Sequence, residues 1–305
     1  MNISILYGGT SAEHKVSIQT GLAIAAAIKD SYNLDMINLD AEIYNAPQLL
    51  LDADLVFNAL HGGDGENGSI QTFLDLHHIP YTGSGAKACK IAMDKNITKL
   101  IAKSINVRTP NWILIKRDKL TGLKLQDNQS PKFSYPYVVK PSNEGSTFGL
   151  SIVNIESELE EAISLAAEFG DEIIIEEFIP GRELTIGIIG NKPLPILEIK
   201  PNHDLYDYEC KYTEGMSEYI VPAELPDSLA RSISKDALSI YQTIGCRHYA
   251  RADFRLNEKG EHFLLEINTL PGMTSTSLLP KAANSVGLAF PELIDTIIKL
   301  ASMDI

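Results

Sequence analysis

The stretch YARADFRLNEKGEHFLLEIN, residues 249–268, decides how the chain is read. Two runs of alternating polar and apolar side chains flank NEKG, a turn signal, so the segment reads as a β-hairpin. Alternate side chains of a strand share a face. Arg251, Asp253 and Arg255 therefore point one way, and Ala252, Phe254 and Leu256 the other. On the second strand Glu266 and Asn268 share a face at the end of the apolar run Phe263–Leu265. A two-residue turn at Lys259–Gly260 sets Asp253 directly across from Glu266. A four-residue turn offsets them by one same-face step, and an odd-length loop separates their faces. Two carboxylates at cross-strand distance repel unless one is protonated or a cation lies between them. Asp, Glu and Asn oxygens are hard ligands of the kind Mg²⁺ takes, with phosphate oxygens completing the shell. The rival reading is a wet sheet face whose acids pair with Arg251 and Arg255, and spacing alone leaves both open.

A phosphate partner is suggested upstream by YPYVVKPSNEGSTFGLSIV, residues 135–153, which reads strand, Gly-rich turn, strand. Lys140 ends the first strand, and Gly145 and Gly149 bracket Ser146 and Thr147. Backbone N–H groups and hydroxyls in such a turn can cradle phosphates, with Lys140 as a point charge. The P-loop pattern G-x-x-x-x-G-K-[ST] is absent. Taken alone, the stretch also fits an ordinary Gly-Ser hairpin turn. GDGENG at 63–68 matches G-x-G-x-x-G, but a dinucleotide site wants an acid about 20 positions on, and GSGAKACKIA at 83–92 holds none.

The rest of the chain sets limits. With 40 acidic against 26 basic residues the net charge is −14, which argues against nucleic acid or an anionic membrane as main partner. Cys89, Cys210 and Cys246 are too scattered for a disulfide framework or zinc cluster. MNISILYGG enters a strand without a basic leader, and LAIAAAI is too short to span a bilayer, so a cytoplasmic protein is expected. Residues 1–90 alternate strand and helix, the signature of a parallel sheet with crossover helices. Residues 91–180 open with one helix, KACKIAMDKNITKLIAKS, begun just before that boundary. A polar surface loop at 116–132, the Gly-rich turn, an amphipathic helix and the strand EIIIEEFI follow. Residues 181–305 are strand-rich, with an aperiodic segment at 200–222, the helix DSLARSISKDALSIYQTIG and a final helix FPELIDTIIKLAS.

Taken together, YGGTSAEHKVS, HGGDGENGSIQ, YTGSG…MDK, VVKPSNEGS, YDYECKY, RADF and LLEINTLPGMTSTS resemble the D-alanine–D-alanine ligase family, whose members are ATP-grasp enzymes. The motifs run in the family's order from residue 7 to residue 278. The resemblance implies a three-domain α/β (α+β) fold. A Rossmann-like substrate domain is followed by two antiparallel-sheet domains that sandwich ATP. It implies that two D-alanines are joined through an acyl phosphate at the expense of ATP, for peptidoglycan precursor synthesis. Two Mg²⁺ ions, with Mn²⁺ as a substitute, and a homodimer are further implications.

By matched position, the resemblance makes Asp253, Glu266 and Asn268 the metal ligands, with Glu266 bridging both ions. Lys95, Lys140 and Lys211 match the phosphate lysines, and the Glu144–Gly145–Ser146–Thr147 turn closes over the phosphates. Glu176, Glu177, Phe178 and Ile179 match the adenine edge, and Glu183 the ribose contact. Arg251 and the Gly272 N–H match the oxyanion stabilisers. Glu13, with His61 nearby, matches the holder of the first substrate's ammonium. Ser277 and the Leu278 N–H match the binders of the second substrate's carboxylate. Glu13, Ser146 and Tyr212 resemble a hydrogen-bonded trio that closes a loop around 203–215.

Plainer roles stand beside these. Glu13 fits an acid favoured at a helix start, and Ser277 a helix N-cap. His61 fits an orienting group, Tyr212 an exposed tyrosine, and the lysines and Arg251 solvated surface charge. Two features depart from the family pattern: the pair Thr147–Phe148, where a smaller pair is usual, and Glu177, often basic in relatives. The rival functions are a ligase for another acceptor such as D-lactate, a silent ATP-binding module, and a nicotinamide oxidoreductase.

Overall fold

The run Ile3–Leu6, apolar but for Ser4, is buried because it forms the centre of a parallel sheet. Strands β1 (Asn2–Gly8), β2 (Asn33–Leu39) and β3 (Leu55–Asn58) lie in the order β2-β1-β3, and Val56 makes a further parallel bridge to Tyr81. Helices His14–Ile28 and Ser69–Leu76 make the crossovers. This is a computed structural model, describing residues 1–39, 48, 50–118, 122–125, 131, 133–202 and 215–304. β1 ends on Gly8 (φ 86°), where a Cβ would fall 1.8 Å from Asn38 Oδ1, so only glycine fits there. The core of this sheet is shared with distant sequence. Leu279 and Ala283, together with Leu293, Ile294, Ile297 and Ile298 of the last helix, pack into it.

Two antiparallel sheets follow. The first contains β4 (Trp112–Asp118), β5 (Gly122–Leu125), β6 (Tyr137–Pro141), β7 (Ser151–Val153) and β8 (Glu172–Glu177), in the order β5-β4-β8-β6-β7. The second contains β9 (Arg182–Ile189), β10 (Lys192–Pro193), β11 (Leu197–Pro201), β12 (Ser217–Ile220), β13 (Tyr249–Leu256) and β14 (His262–Asn268). Its order is β12-β11-β9-β13-β14, with β10 paired to β9. Helix Asp227–Ile244 buries Ile233, Ala237, Ile240, Tyr241 and Ile244, one stripe at helical spacing, against Leu184, Ile186 and Ile188 of β9. Each leucine or isoleucine among them contributes about 1.5–3 kcal/mol on full burial. The mixed α/β architecture with two antiparallel sheets is the one expected.

Three local readings are corrected. The helix expected over 87–104 is two helices, Ala86–Met93 and Lys95–Ser104. Asp94 is extended between them (φ −81°, ψ 100°) and its carboxylate caps the second by accepting from the Ile97 N–H at 3.0 Å. A helical period had masked a capping residue in mid-run. The polar stretch at 116–132 is not all loop, because β4 extends to Asp118 and β5 pairs with it. β5 spans only four residues, too few for an alternating pattern to stand out from the polar residues around it. In the same way, the aperiodic segment 200–222 contains β12, a sheet edge paired to β11.

Candidate active site

The hairpin β13–β14 has an odd loop after all. Leu256 pairs with His262, leaving five residues, 257–261, between the strands. Carried forward unchanged, that register would set Asp253 across from Leu265 and turn Glu266 into the core. Instead the register shifts between Asp253 and Phe254, so Asp253 pairs with Glu266. Leu265 is the extra residue of a β-bulge, a device that re-aims a side chain. Arg251 pairs with Asn268 in the same ladder. Arg251 grips Asp253 bidentately, Nε to Oδ1 at 2.9 Å and a terminal nitrogen to Oδ2 at 2.8 Å. The Thr185 hydroxyl donates to Asp253 Oδ1 at 2.5 Å. Glu266 faces Lys95, Nζ to Oε2 3.2 Å. Asn268 Oδ1 accepts from the Leu270 N–H at 2.8 Å.

Lys95 begins its helix and donates to the Glu144 carbonyl at 2.5 Å. It thereby ties the second antiparallel sheet's carboxylate to the Gly-rich turn. Burial pushes the Glu144 carboxyl up, against the opposing pull of Lys95. Ser146 and Thr147 stand in left-handed backbone (φ 49° and 67°), unusual for residues with side chains. The Ser146 hydroxyl donates to Glu13, the N-cap residue of helix His14–Ile28. Glu13 is buried, as is His61, whose Nε2 lies 2.9 Å from Thr20 Oγ1 and whose Nδ1 lies 3.6 Å from Glu66. The GDGENG loop serves this corner. Asn58 and Gln71 both donate to the Gly65 carbonyl, and Glu66 accepts from the Gly62 N–H. Phe148, the bulky departure in the turn, stacks on Phe169 with centroids 6.0 Å apart.

On the other side, Lys140 donates to Glu176 Oε1 at 2.6 Å, while Lys99 lies 2.8 Å from Oε2. Glu176 is buried, and the two ammoniums hold its carboxylate ionised against the desolvation that alone would push its pKa up. Glu177 accepts from the Asn111 side chain at 2.8 Å. Arg255 ties the crossover between the sheets, donating to the carbonyls of Ile179 (3.0 Å) and Gly181 (2.9 Å) and to Glu183 (3.3 Å). At the third edge, Ser277 occupies the N-cap position of helix Leu278–Asn284 without a capping side-chain bond. Its Oγ instead accepts from the Thr274 N–H at 3.1 Å. A Cβ on Gly272 would lie 3.1 Å from that same Oγ.

These groups line two adjoining cavities. One, about 130 Å³, is walled by Glu13, His61, Lys95, Arg251, Asn268, Gly272, Ser277 and Leu278. The other, about 140 Å³, is walled by Lys140, Glu144, Thr147, Glu176, Glu177, Phe178, Ile179, Glu183 and Asp253. Lys95, Gly145, Ser146, Arg251, Glu266 and Leu278 line both, so the cavities meet there. The expected residues Lys211 and Tyr212 lie outside the described residues. The family model described as D-ala D-ala ligase C-terminus matches residues 101–299, and that described as D-ala D-ala ligase N-terminus matches residues 41–84. The chain belongs to the D-alanine–D-alanine ligase family.

Its relatives within that family match end to end. The D-alanine–D-alanine ligase of Syntrophotalea carbinolica is 42% identical over 302 residues, 99% of this chain and 96% of its own. That of Aquifex aeolicus is 40% identical over 302 residues, 98% of this chain and 100% of its own. The solved D-alanine–D-alanine ligase of Bacillus anthracis complexed with ATP is 34% identical, with a TM-score of 0.87, covering 100% of this chain and 98% of that one. VanG D-Ala:D-Ser ligase from Enterococcus faecalis is 26% identical, TM-score 0.84, over 98% of this chain and 99% of that one. Sequence reasoning for this ligase-family chain missed Lys99, Thr185 and Arg255. Lys99 carried a signal, since it stands four residues after Lys95 and so shares its helix face. Arg255 was placed on the functional face, but nothing marked it as the clamp on the crossover.

Proposed function

We propose that the chain joins two D-alanines into D-alanyl-D-alanine, consuming ATP, as a step in peptidoglycan precursor synthesis. The observation that carries this reading is the meeting of two cavities at Lys95, Ser146, Arg251 and Glu266. One cavity offers buried lysines for a nucleotide's phosphates. The other offers a buried carboxylate, Glu13, for an ammonium. A phosphoryl group would therefore be delivered where an amino acid's carboxylate waits.

The first D-alanine, its ammonium held by Glu13 beside His61, presents its carboxylate to the γ-phosphorus of ATP. A new O–P bond forms, the bond to the β-phosphate oxygen breaks, and ADP leaves. A carboxylate is a poor electrophile, whereas the resulting acyl phosphate carries a good leaving group. Lys95 and Lys140, with Lys211 by sequence match, offset the phosphate charge, and the 144–147 turn closes over it. The adenine and ribose lie along Glu176–Ile179 and Glu183. The amine of the second D-alanine, its carboxylate held by Ser277 and the Leu278 N–H, attacks the acyl carbonyl. Arg251 and the Gly272 N–H receive the oxyanion, and phosphate departs as it collapses. Tyr212 joins Glu13 and Ser146 by sequence match.

Asp253, Glu266 and Asn268 suit Mg²⁺, or Mn²⁺ in its place. They are hard oxygen donors on one sheet face at the cavity wall. Two carboxylates and an amide leave most of an Mg²⁺ shell to phosphate oxygens and water. Such ions, when bound, offset phosphate charge and polarise the transferring group. The division 1–90, 91–180 and 181–305, a homodimer and a cytoplasmic setting belong to the same proposal. Among the described residues no helix is long and apolar enough to cross a membrane.

The test is phosphate release from ATP with D-alanine and Mg²⁺ each present or omitted, and with D-serine or D-lactate as competing acceptor. Release that needs both, with the dipeptide as product, is expected. Release indifferent to D-alanine would overturn the reading.

A further inference from the structure

Lys99 is fully buried, yet it lines neither cavity. Its ammonium donates to Thr109 Oγ1 at 2.8 Å, lies 2.8 Å from Glu176 Oε2, and stands 5.5 Å from the Trp112 ring. Glu176 Oε2 has no aligned hydrogen-bond donor, so Lys99 holds it by charge. A buried ion pair is a poor way to gain stability, since apolar side chains of similar volume often do as well or better. An aliphatic residue on this helix face would serve a core equally well. The charge calls for another explanation.

Lys140 and Glu176 alone would be a neutral pair, and a neutral pair attracts phosphates weakly. With Lys99 on the far oxygen, the trio carries one net positive charge. Only Lys140 among its ammoniums reaches the cavity wall. We propose that Lys99 is a positioning residue for nucleotide binding: it engages the far oxygen of Glu176, so that the Lys140 ammonium keeps its place and its unneutralised charge toward the phosphates. This rests on the reading that ATP fills the Lys140 cavity.

The role differs from simple packing in its dependence on ligand charge. The experiment measures binding of adenosine, AMP and the non-hydrolysable imido analogue of ATP to wild type, Lys99→Met, and the double variant Lys99→Met/Glu176→Gln. Removing one charge from a partly desolvated site should weaken the triphosphate analogue about tenfold or more. Adenosine should change by less than about twofold, since it carries no charge for the trio to attract. The double variant restores the count to one positive charge and should recover the wild-type ratio of analogue to adenosine affinity. Equal loss along the ligand series, or no loss, overturns the proposal. If Lys99→Met does not fold, the double variant decides, and a collapsed ratio there also overturns it. Failure of wild type to prefer the analogue over adenosine would instead remove the nucleotide reading, and this role with it.

Discussion

Asp253 stands directly across from Glu266 because one residue, Leu265, is bulged out of the ladder. The five-residue loop and the bulge each displace the register by one, and together they return both carboxylates to the same face. Neither carboxylate is left to repel the other unaided. Arg251 neutralises Asp253, and Lys95 faces Glu266. The wet-face pairing and the metal reading are therefore compatible. Arg251 holds Asp253 in the pose from which an arriving cation would share or take it.

Glu266→Gln should abolish ligation while the protein stays folded. The side chain is 32% exposed, and Lys95 keeps its bond to the Glu144 carbonyl when Glu266 loses its charge, so the fold should survive. Shape is kept and one carboxylate charge is lost, so on the proposed metal role ADP–Mg²⁺ affinity should fall with activity. Titration calorimetry beside a thermal melt reads both. Near-normal turnover would sink the assignment of Glu266 to both ions.

Arg251→Ala should lower kcat by about 10²–10³, far more than it raises the KM for D-alanine, because an oxyanion exists only after attack. Steady-state rates over a range of D-alanine separate the two. A change confined to KM would make Arg251 a ground-state binder.

How much of this was legible depended on whether a position's role lay in its residue type or its neighbours. Glu266 and Asn268 drew notice as polar groups closing an apolar run, which the hydrophobic pattern cannot explain, and Asp253 as the acid that one turn length sets across from Glu266. The bulge at Leu265 did not, because an aliphatic residue in a strand looks the same in either register. Asp94 was hidden inside a helical period and showed itself only as a cap. Lys99 shares a helix face with Lys95, but its burial was not legible, because a lysine is ordinarily taken as exposed and its partner Glu176 lies 77 positions away in sequence. The shared core of the first sheet and the last helix is likewise a long-range fact, with no local trace in either segment.

Stability should rise with pH in wild type relative to Lys99→Met between about pH 8 and 10.5. Burial pushes the Lys99 ammonium down from its ordinary 10.5 to about 8. Below pH 8 both folded and unfolded states hold the proton, and the folded state bears the full cost of burying it. Between the two values the folded state sheds the proton while the unfolded chain keeps it, so raising pH favours folding. The thiols of Cys89 and Cys246, pushed by burial up to about 12, act oppositely above pH 9. They are common to both proteins and cancel in the difference. Urea unfolding at pH 7.5, 9 and 10 measures it, and a difference that stays flat would mean Lys99 does not titrate there.

Ser146 and Glu13 are 133 residues apart in sequence and joined by a side-chain hydrogen bond that latches the Gly-rich turn to the Glu13 corner of the first cavity. The turn reaches Glu13 only by taking Ser146 into left-handed backbone at φ 49°. Two substitutions separate hydroxyl from backbone. Ser146→Ala loses the hydroxyl and keeps the backbone penalty. Ser146→Gly loses the hydroxyl but removes a penalty of about 1–2 kcal/mol, since glycine adopts positive φ freely. If the latch works through the hydroxyl, both should show the same rise in KM for D-alanine. A hydrogen bond to a charged partner is worth about 1.5–3 kcal/mol, so a rise of about tenfold or more is expected. The glycine variant alone should melt above the alanine variant. Initial rates at varied D-alanine, with thermal melts alongside, give both answers. Wild-type KM in Ser146→Ala would show that the turn is held by its backbone and that the bond to Glu13 does not close the site.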